Sequence, residues 1–234
     1  MSANRRPATQ GSPLDLRCYH VTGTPLKKVV QVAAAAAAGG AGVIQVRSKP
    51  IGVRDLTALA IDVAAAVGET NPATRVLIDD RVDVAAALMG EHHIHGVHIG
   101  QDDLDPRLAR RILGEDAIIG LTTGTLRLVR EANEYSDVID YIGAGPFRPT
   151  PTKTSGRTPL GLKGYPPLVA TSAVPVVAIG DVQAADAESL AETGVAGVAI
   201  VRAFMDSKDP TALATTVVDA FARANPNAST GSHE

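Results

Sequence analysis

Two acidic pairs, Asp79-Asp80 and Asp102-Asp103, are the first residues in this chain whose types and spacing suggest chemistry. Each follows a short apolar stretch, Val76-Leu77-Ile78 before the first and Val97-His98-Ile99 before the second. Asp80 and Asp103 lie 23 residues apart, about the length of one strand–helix unit. If both stretches are neighbouring parallel strands, the pairs emerge at the same end of a sheet. Carboxylates converging there would bind a hard cation such as Mg²⁺, with substrate phosphates completing its shell. Asp is also a favoured helix N-cap, so either pair alone could simply start the next helix.

Other strand ends carry polar residues too. Gln45, Arg47 and Lys49 share one face of an extended segment. Two cations there suit a polyanion such as a diphosphate, Arg as a planar fork and Lys as a point charge; the alternative is a strand leaving the core into solvent. A long stretch from Gly143 to about Gly161 holds Thr150, Thr152 and Lys153. It reads either as a phosphate-holding loop or as a stiff Pro-rich connector. Further on, Ile179-Gly180-Asp181 and Ile200-Val201-Arg202 end two more apolar runs. Gly180 would let backbone N–H groups approach a phosphate, but Asp181 sits awkwardly: a carboxylate about 4 Å from a phosphate costs about 4 kcal/mol at an effective dielectric near 20. Asp181 could instead point away and cap a helix beginning near Ala184. His92, His93, His95 and His98 invite a transition-metal reading. The first three precede their strand, at the opposite end from the acidic pairs, and His98 reads as a core histidine.

The elements that must position these residues alternate. Candidate strands are Leu16–Val21, Gly42–Val46, Arg75–Ile78, Gly96–Ile99, Ala117–Leu121, Val138–Ile142, Pro175–Ile179 and Gly197–Val201. Helical segments between them include Leu26–Ala38, Val53–Val67, Val82–Met89, Pro106–Leu113, Leu126–Glu134 and Ala184–Glu192, with Pro210–Ala224 after the last strand. Most strands are continuous apolar runs, as expected when both faces of a parallel sheet are buried. Gly39-Gly40, Gly68, Gly90, Gly114 and Gly194 fall just past helical segments, where a C-terminal cap favours positive φ. Eight such units predict a single-domain α/β (β/α)₈ TIM barrel over residues 14–224; a doubly wound open sheet is the alternative. Residues 1–13 and 225–234 are expected to be flexible tails.

Composition narrows the function classes. A chain of 234 residues, 45% of them hydrophobic, can bury one sizeable core. The net charge of −3 and the lack of a basic block argue against nucleic acid. Cys18 is the sole cysteine, so no intramolecular disulfide can form and a reducing compartment is expected. No apolar run approaches the roughly 18 residues of a membrane span, and the polar N-terminus lacks the apolar region of a signal peptide. The expectation is a soluble cytoplasmic protein, without membrane or nucleic-acid partners; the oligomeric state is left open.

Together the motifs resemble the thiamine phosphate synthase family, over roughly Leu16 to Pro210. The family's Gln-x-Arg-x-Lys appears as Gln45-Val46-Arg47-Ser48-Lys49, and its Asn-Asp-Arg as Asp79-Asp80-Arg81. Its His-x-Gly-Gln-x-Asp appears as His98-Ile99-Gly100-Gln101-Asp102-Asp103. Its Gly-Pro-x-x-Pro-Thr-x-Thr-Lys appears as Gly145-Pro146-Phe147-Arg148-Pro149-Thr150-Pro151-Thr152-Lys153. The resemblance implies a barrel that joins a hydroxymethylpyrimidine diphosphate to a thiazole phosphate. It implies Asp80 and Asp103 as Mg²⁺ ligands, and Gln45, Arg47, Lys49 and Lys153 around the pyrimidine and its diphosphate. Asp79 would contact the pyrimidine, and Thr122, where a Ser is usual, the diphosphate. Thr150, Thr152, Gly180 and Val201 would lie at the thiazole phosphate. Arg47, Lys49, Thr122 and Lys153 would act in catalysis by stabilising the departing diphosphate.

This chain departs from the pattern in places. Asp79 replaces Asn and offers no amide donor; Ser48 replaces a frequent Glu. Asp181 replaces the second Gly of Ile-Gly-Gly, and Arg202 stands where Ser is common, a cation that could offset Asp181. The first strand ends in Gly23, where Asp is frequent. The rival readings are a thiazole tautomerase-like barrel, which needs no Mg²⁺ or diphosphate site, and a non-catalytic relative that binds thiazole or pyrimidine phosphates. The retained Gln45, Arg47 and Lys49 set and both carboxylates argue against the tautomerase.

Overall fold

The chain is described by a computed structural model over residues 14–149, 156 and 158–224. Its strands are β1 (Cys18–Val21), β2 (Val43–Val46), β3 (Arg75–Asp79), β4 (Gly96–Ile99), β5 (Ile118–Thr123), β6 (Tyr141–Ala144), β7 (Val176–Ile179) and β8 (Gly197–Ile200). Each pairs in parallel with its chain neighbour, and β8 returns to β1 through Cys18↔Val198, Tyr19↔Ala199 and His20↔Ile200. That last pairing closes the barrel and excludes the open sheet. Thr150, Thr152 and Lys153, like residues 1–13 and 225–234, lie outside the described residues.

Strand alternation divides the core in two. Tyr19, Val21, Val43, Leu77, Tyr141 and Val177 fill the lumen. Ile44, Val46, Val76, Ile78, Val97 and Ile99 point outward and bury against the helices. Both sets are apolar, which is why most strands read as unbroken hydrophobic runs.

The surrounding helices are α1 (Val29–Ala38), α2 (Val53–Thr70), α3 (Val82–Leu88), α4 (Pro106–Leu113), α5 (Leu126–Asn133), α6 (Gly161–Thr171), α7 (Ala187–Ala191), α8 (Arg202–Asp206) and α9 (Pro210–Ala224). The alanine run of α1 works as a close-packing face, with Ala33, Ala36 and Ala37 fully buried. A β-carbon at Gly39 would fall 2.2 Å from the Thr211 carbonyl oxygen, so a side chain there would push α9 away. Gly40, Gly90, Gly114 and Gly194 adopt positive φ past their helices as predicted. Gly68 does not: it lies in the last turn of α2, against the His93 ring.

One other sequence expectation gives way. The sixth strand runs over Tyr141–Ala144 rather than Val138–Ile142. Val138 belongs to a turn after α5, and its carbonyl accepts from Arg110 Nε and Nη2 at 3.1 and 2.8 Å. Arg110, only 3% exposed, also donates to the carbonyls of Gly114, Glu115 and Ala117 and to Asp140. A buried guanidinium thus organises this corner, and no local propensity reports it. The segment after Gly161 is the helix α6, despite Pro166 and Pro167 within it. Tyr165 holds it by donating to the Ala144 carbonyl at 3.1 Å.

On the outward face of β1, His20 is fully buried against Phe204, with ring centroids 4.6 Å apart. Its Nδ1 lies 3.4 Å from the Ile200 carbonyl, and its Nε2 has no partner among the described residues. Burial pushes the imidazole down to about 4, with the Ile200 carbonyl pulling the other way. A depressed histidine favours folding above its unfolded value near 6.5, and that contribution is lost as pH falls toward 4. Between pH 7 and 5 this group should therefore cost about 2 kcal/mol of stability. Urea unfolding at the two pH values should show a smaller acid loss in His20→Leu by about that amount.

Candidate active site

An open cavity lies at the C-terminal end of the barrel. Its wall takes Gln45 and Arg47 from the end of β2, Asp79 from β3 and Thr122 from β5, with Gly180 and Val201 from the turns after β7 and β8. Parallel closure alone brings these ends together, since every strand finishes on the same rim. Arg47 is further anchored by Thr22: its backbone N–H donates to the buried threonine hydroxyl at 2.8 Å, and the hydroxyl donates to the Arg47 carbonyl at 2.8 Å.

Charges of both signs meet beside the cavity. Asp79 Oδ2 lies 3.5 Å from Arg47 Nε and 3.2 Å from Lys49 Nζ. It is buried without an aligned hydrogen bond, so these contacts are ionic in character. Burial pushes the Asp79 carboxyl up to about 6 and Asp80 adds to the rise, while Lys49 and Arg47 hold it back. Lys49 also pairs closely with Asp80. Burial works to raise Asp80 as well, but Lys49, helped by Asp103 and His98, keeps that carboxyl below its ordinary value. Asp80 and Asp103 interact directly. The Asp103 carboxyl is raised by burial and by Asp80, against a 2.6 Å hydrogen bond from the Gly100 N–H.

The capping reading of the acidic pairs fails. The residue at the start of α3 is Arg81, and no side chain caps that helix. Asp105, not Asp102 or Asp103, caps α4 by accepting from Arg107 N and Leu108 N. Asp80 adopts φ 59° as β3 turns away, a left-handed conformation that Asp tolerates better than most residues. Two hard carboxylates are thereby left facing each other, a donor set suited to Mg²⁺. Asp102 is exposed.

Asp181 does not cap the next helix either; Gln183 and Asp186 form that box. Asp181, at φ 57°, lines the cavity and pairs with Arg202, which lines it too. The loop after β6 starts from a firm anchor. Phe147 and Arg148 donate backbone N–H groups to the carbonyls of Ile179 and Gly180, and the Arg148 guanidinium grips Asp186 with both forks at 2.6 and 2.5 Å.

The histidine segment splits. His93 and His95 stack edge to face, 4.4 Å apart, at the opposite end of the barrel. There His93 Nε2 lies 2.8 Å from the Thr74 carbonyl, and His95 Nδ1 accepts from Val76 N. Among the described residues no three metal-binding side chains converge. His98, expected in the core, instead lines the cavity. Tyr19, Tyr141 and Gln183 line it too, and none carried a sequence signal beyond period-two alternation.

The sequence profile described as thiamine monophosphate synthase matches residues 18–204. The chain belongs to the thiamine monophosphate synthase family. A thiamine-phosphate synthase of Corynebacterium jeikeium is 77% identical over 212 residues, covering 91% of this chain and 97% of that one. Another, of Corynebacterium efficiens, is 60% identical over 211 residues, with 88% and 95% covered. The solved thiamine phosphate pyrophosphorylase of Pyrococcus furiosus superposes with a TM-score of 0.76 at 28% identity, covering 90% of this chain and 98% of that one.

Asp181 and Arg202 form an ion pair on the cavity wall, so a carboxylate that would repel a phosphate is neutralised by the cation. Arg202→Ala should weaken binding of a thiazole phosphate about tenfold or more, because an anion then faces Asp181 uncompensated. Adding Asp181→Gly should recover most of that loss in a calorimetric titration.

Proposed function

We propose that this protein is a thiamine-phosphate synthase. It joins 4-amino-2-methyl-5-hydroxymethylpyrimidine diphosphate to a thiazole phosphate, giving thiamine phosphate and diphosphate. The observation that carries this reading is the convergence of Gln45, Arg47, Lys49, Asp79, Asp80, Asp103 and Thr122 at one rim of the barrel. A tautomerase-like enzyme would have no use for the two facing carboxylates.

Asp80 and Asp103 would hold Mg²⁺, a hard cation that takes one or two protein carboxylates together with substrate phosphates. When bound, the ion supplies positive charge to the diphosphate. The chain's own residues do the rest. The C–O bond between the pyrimidine methylene and the diphosphate breaks, and its electron pair leaves with the diphosphate. Arg47 and Lys49 sit where that negative charge develops and stabilise it. Lys49 is half exposed and shared between two carboxylates, so it is free to shift onto a phosphoryl oxygen. Thr122 adds a hydroxyl on the same wall. The thiazole nitrogen then attacks the electron-poor methylene carbon and forms the new C–N bond. No side-chain nucleophile enters this route, and orienting two substrates in one cavity supplies much of the rate. Gln45 and Asp79 orient the pyrimidine, and Gly180 and Val201 face the thiazole phosphate. The roles of Thr150, Thr152 and Lys153 rest on the sequence pattern alone. Among the described residues no helix is long and apolar enough to cross a membrane. Cys18, the lone cysteine, is a buried thiol, which fits work in the reducing cytoplasm.

A coupled assay with both substrates, with and without Mg²⁺, tests the proposal. The parent should form thiamine phosphate only with the cation. Asp103→Ala should lower turnover roughly a hundredfold or more at saturating Mg²⁺; undiminished turnover would overturn the assignment.

A further inference from the structure

Four side chains form a continuous hydrogen-bonded chain across the barrel lumen. Tyr19 Oη lies 2.7 Å from Tyr141 Oη, Tyr141 Oη 3.0 Å from His98 Nδ1, and His98 Nε2 3.0 Å from Thr122 Oγ1. Tyr19 and Tyr141 are buried, while Thr122 opens onto the cavity. Glycines make the room. A β-carbon at Gly120 would fall 2.3 Å from Tyr141 Oη and 2.5 Å from His98 Nδ1, in the joint of the chain. Gly143 clears the other side of the imidazole, where a β-carbon would lie 3.2 Å from His98 Cε1.

The chain has two possible directions. A neutral imidazole donates from one nitrogen and accepts at the other, so the direction on one side of His98 sets the direction on the other. If Thr122 donated to His98, then His98 would donate to Tyr141 and Tyr141 to Tyr19. The Tyr19 proton would then be stranded, because among the described residues Tyr141 is its hydrogen-bond partner and its hydroxyl is buried. A buried donor left without an acceptor loses its bond to water and gains nothing in return, so this direction is disfavoured. In the other direction Tyr19 donates to Tyr141, Tyr141 to His98 Nδ1, and His98 Nε2 to Thr122. Every buried proton is then satisfied, and the one left over is the Thr122 hydroxyl proton, at the end that opens on the cavity.

We infer that Tyr19, Tyr141 and His98 are positioning residues that fix the Thr122 hydroxyl as a donor into the cavity, aimed at phosphoryl oxygens of the diphosphate. This rests on the synthase reading of the cavity. The hydroxyl arrives already oriented, so no reorientation is needed as charge grows on the leaving group. The far end of the device is a phenol on β1, on the other side of the lumen.

The test is a double-mutant cycle read by calorimetry with inorganic diphosphate and Mg²⁺, alongside thermal unfolding and turnover. Thr122→Val and Tyr141→Phe should each weaken diphosphate binding about tenfold. The double variant should bind no worse than Thr122→Val alone, and Thr122→Ser should bind like the parent. Tyr19→Phe, one link further away, should show a smaller loss that also disappears in the Thr122→Val background; it carries the cycle if Tyr141→Phe fails to fold. A tyrosine that only fills the lumen would lower the unfolding midpoint and leave diphosphate affinity intact, which overturns the inference. Losses that multiply in the double variant overturn it as well. A parent that turned over neither substrate and bound no diphosphate would instead bring down the synthase reading, and the inference with it.

Discussion

Closure of eight parallel strands on themselves imposes the constraint on which everything else depends. Every second side chain must enter a lumen with room for little besides side chains, and each polar group placed there needs a partner within it. Tyr19, Tyr141, His98 and Thr122 meet that requirement with one another. Gly120 and Gly143 give up side chains so that the rings fit. The outward residues are mostly apolar, and there plain hydrophobic burial suffices; His20, with an unpartnered nitrogen, is an exception.

The same closure concentrates charge. Arg47, Lys49, Asp79, Asp80 and Asp103 are drawn from three strand ends, and none serves to cap a helix. A half-exposed pair such as Lys49 with Asp80 contributes about 1 kcal/mol or less to stability. What it supplies is a set of charges that neutralise one another at rest and can be redistributed when a polyanion and a cation arrive. Asp181 and Arg202 repeat the device further round the same rim, where carboxylate and guanidinium neutralise each other.

Much of this is legible in the residues themselves. Pro106–Leu113 and Pro210–Ala224 stand as read, because strong helix formers follow an N-terminal proline. The Gln45, Arg47 and Lys49 series declares itself by period-two spacing. The sixth strand is misframed by local pattern because Val138 and Ile139 look like strand residues. A remote guanidinium, Arg110, holds that corner as a turn instead. With the frame displaced, Tyr141 and Gly143 cannot be assigned to the lumen. His98 reads as packing because one histidine in an apolar run carries no sign of what stands across the barrel. The helix at Gly161–Thr171 is hidden by its two prolines.

By itself the sequence determined the alternation of strands and helices, the family, and which residue types arrive at strand ends, because those follow from local periodicity and motif. Tertiary structure alone decided which of them meet. Whether Asp80 faces Asp103 or caps a helix, whether Asp181 is neutralised, and whether a phenol on β1 reaches a hydroxyl on β5 all depend on barrel closure and register. Those set distances between residues roughly 20 to 120 positions apart, where the chain's local preferences carry no information.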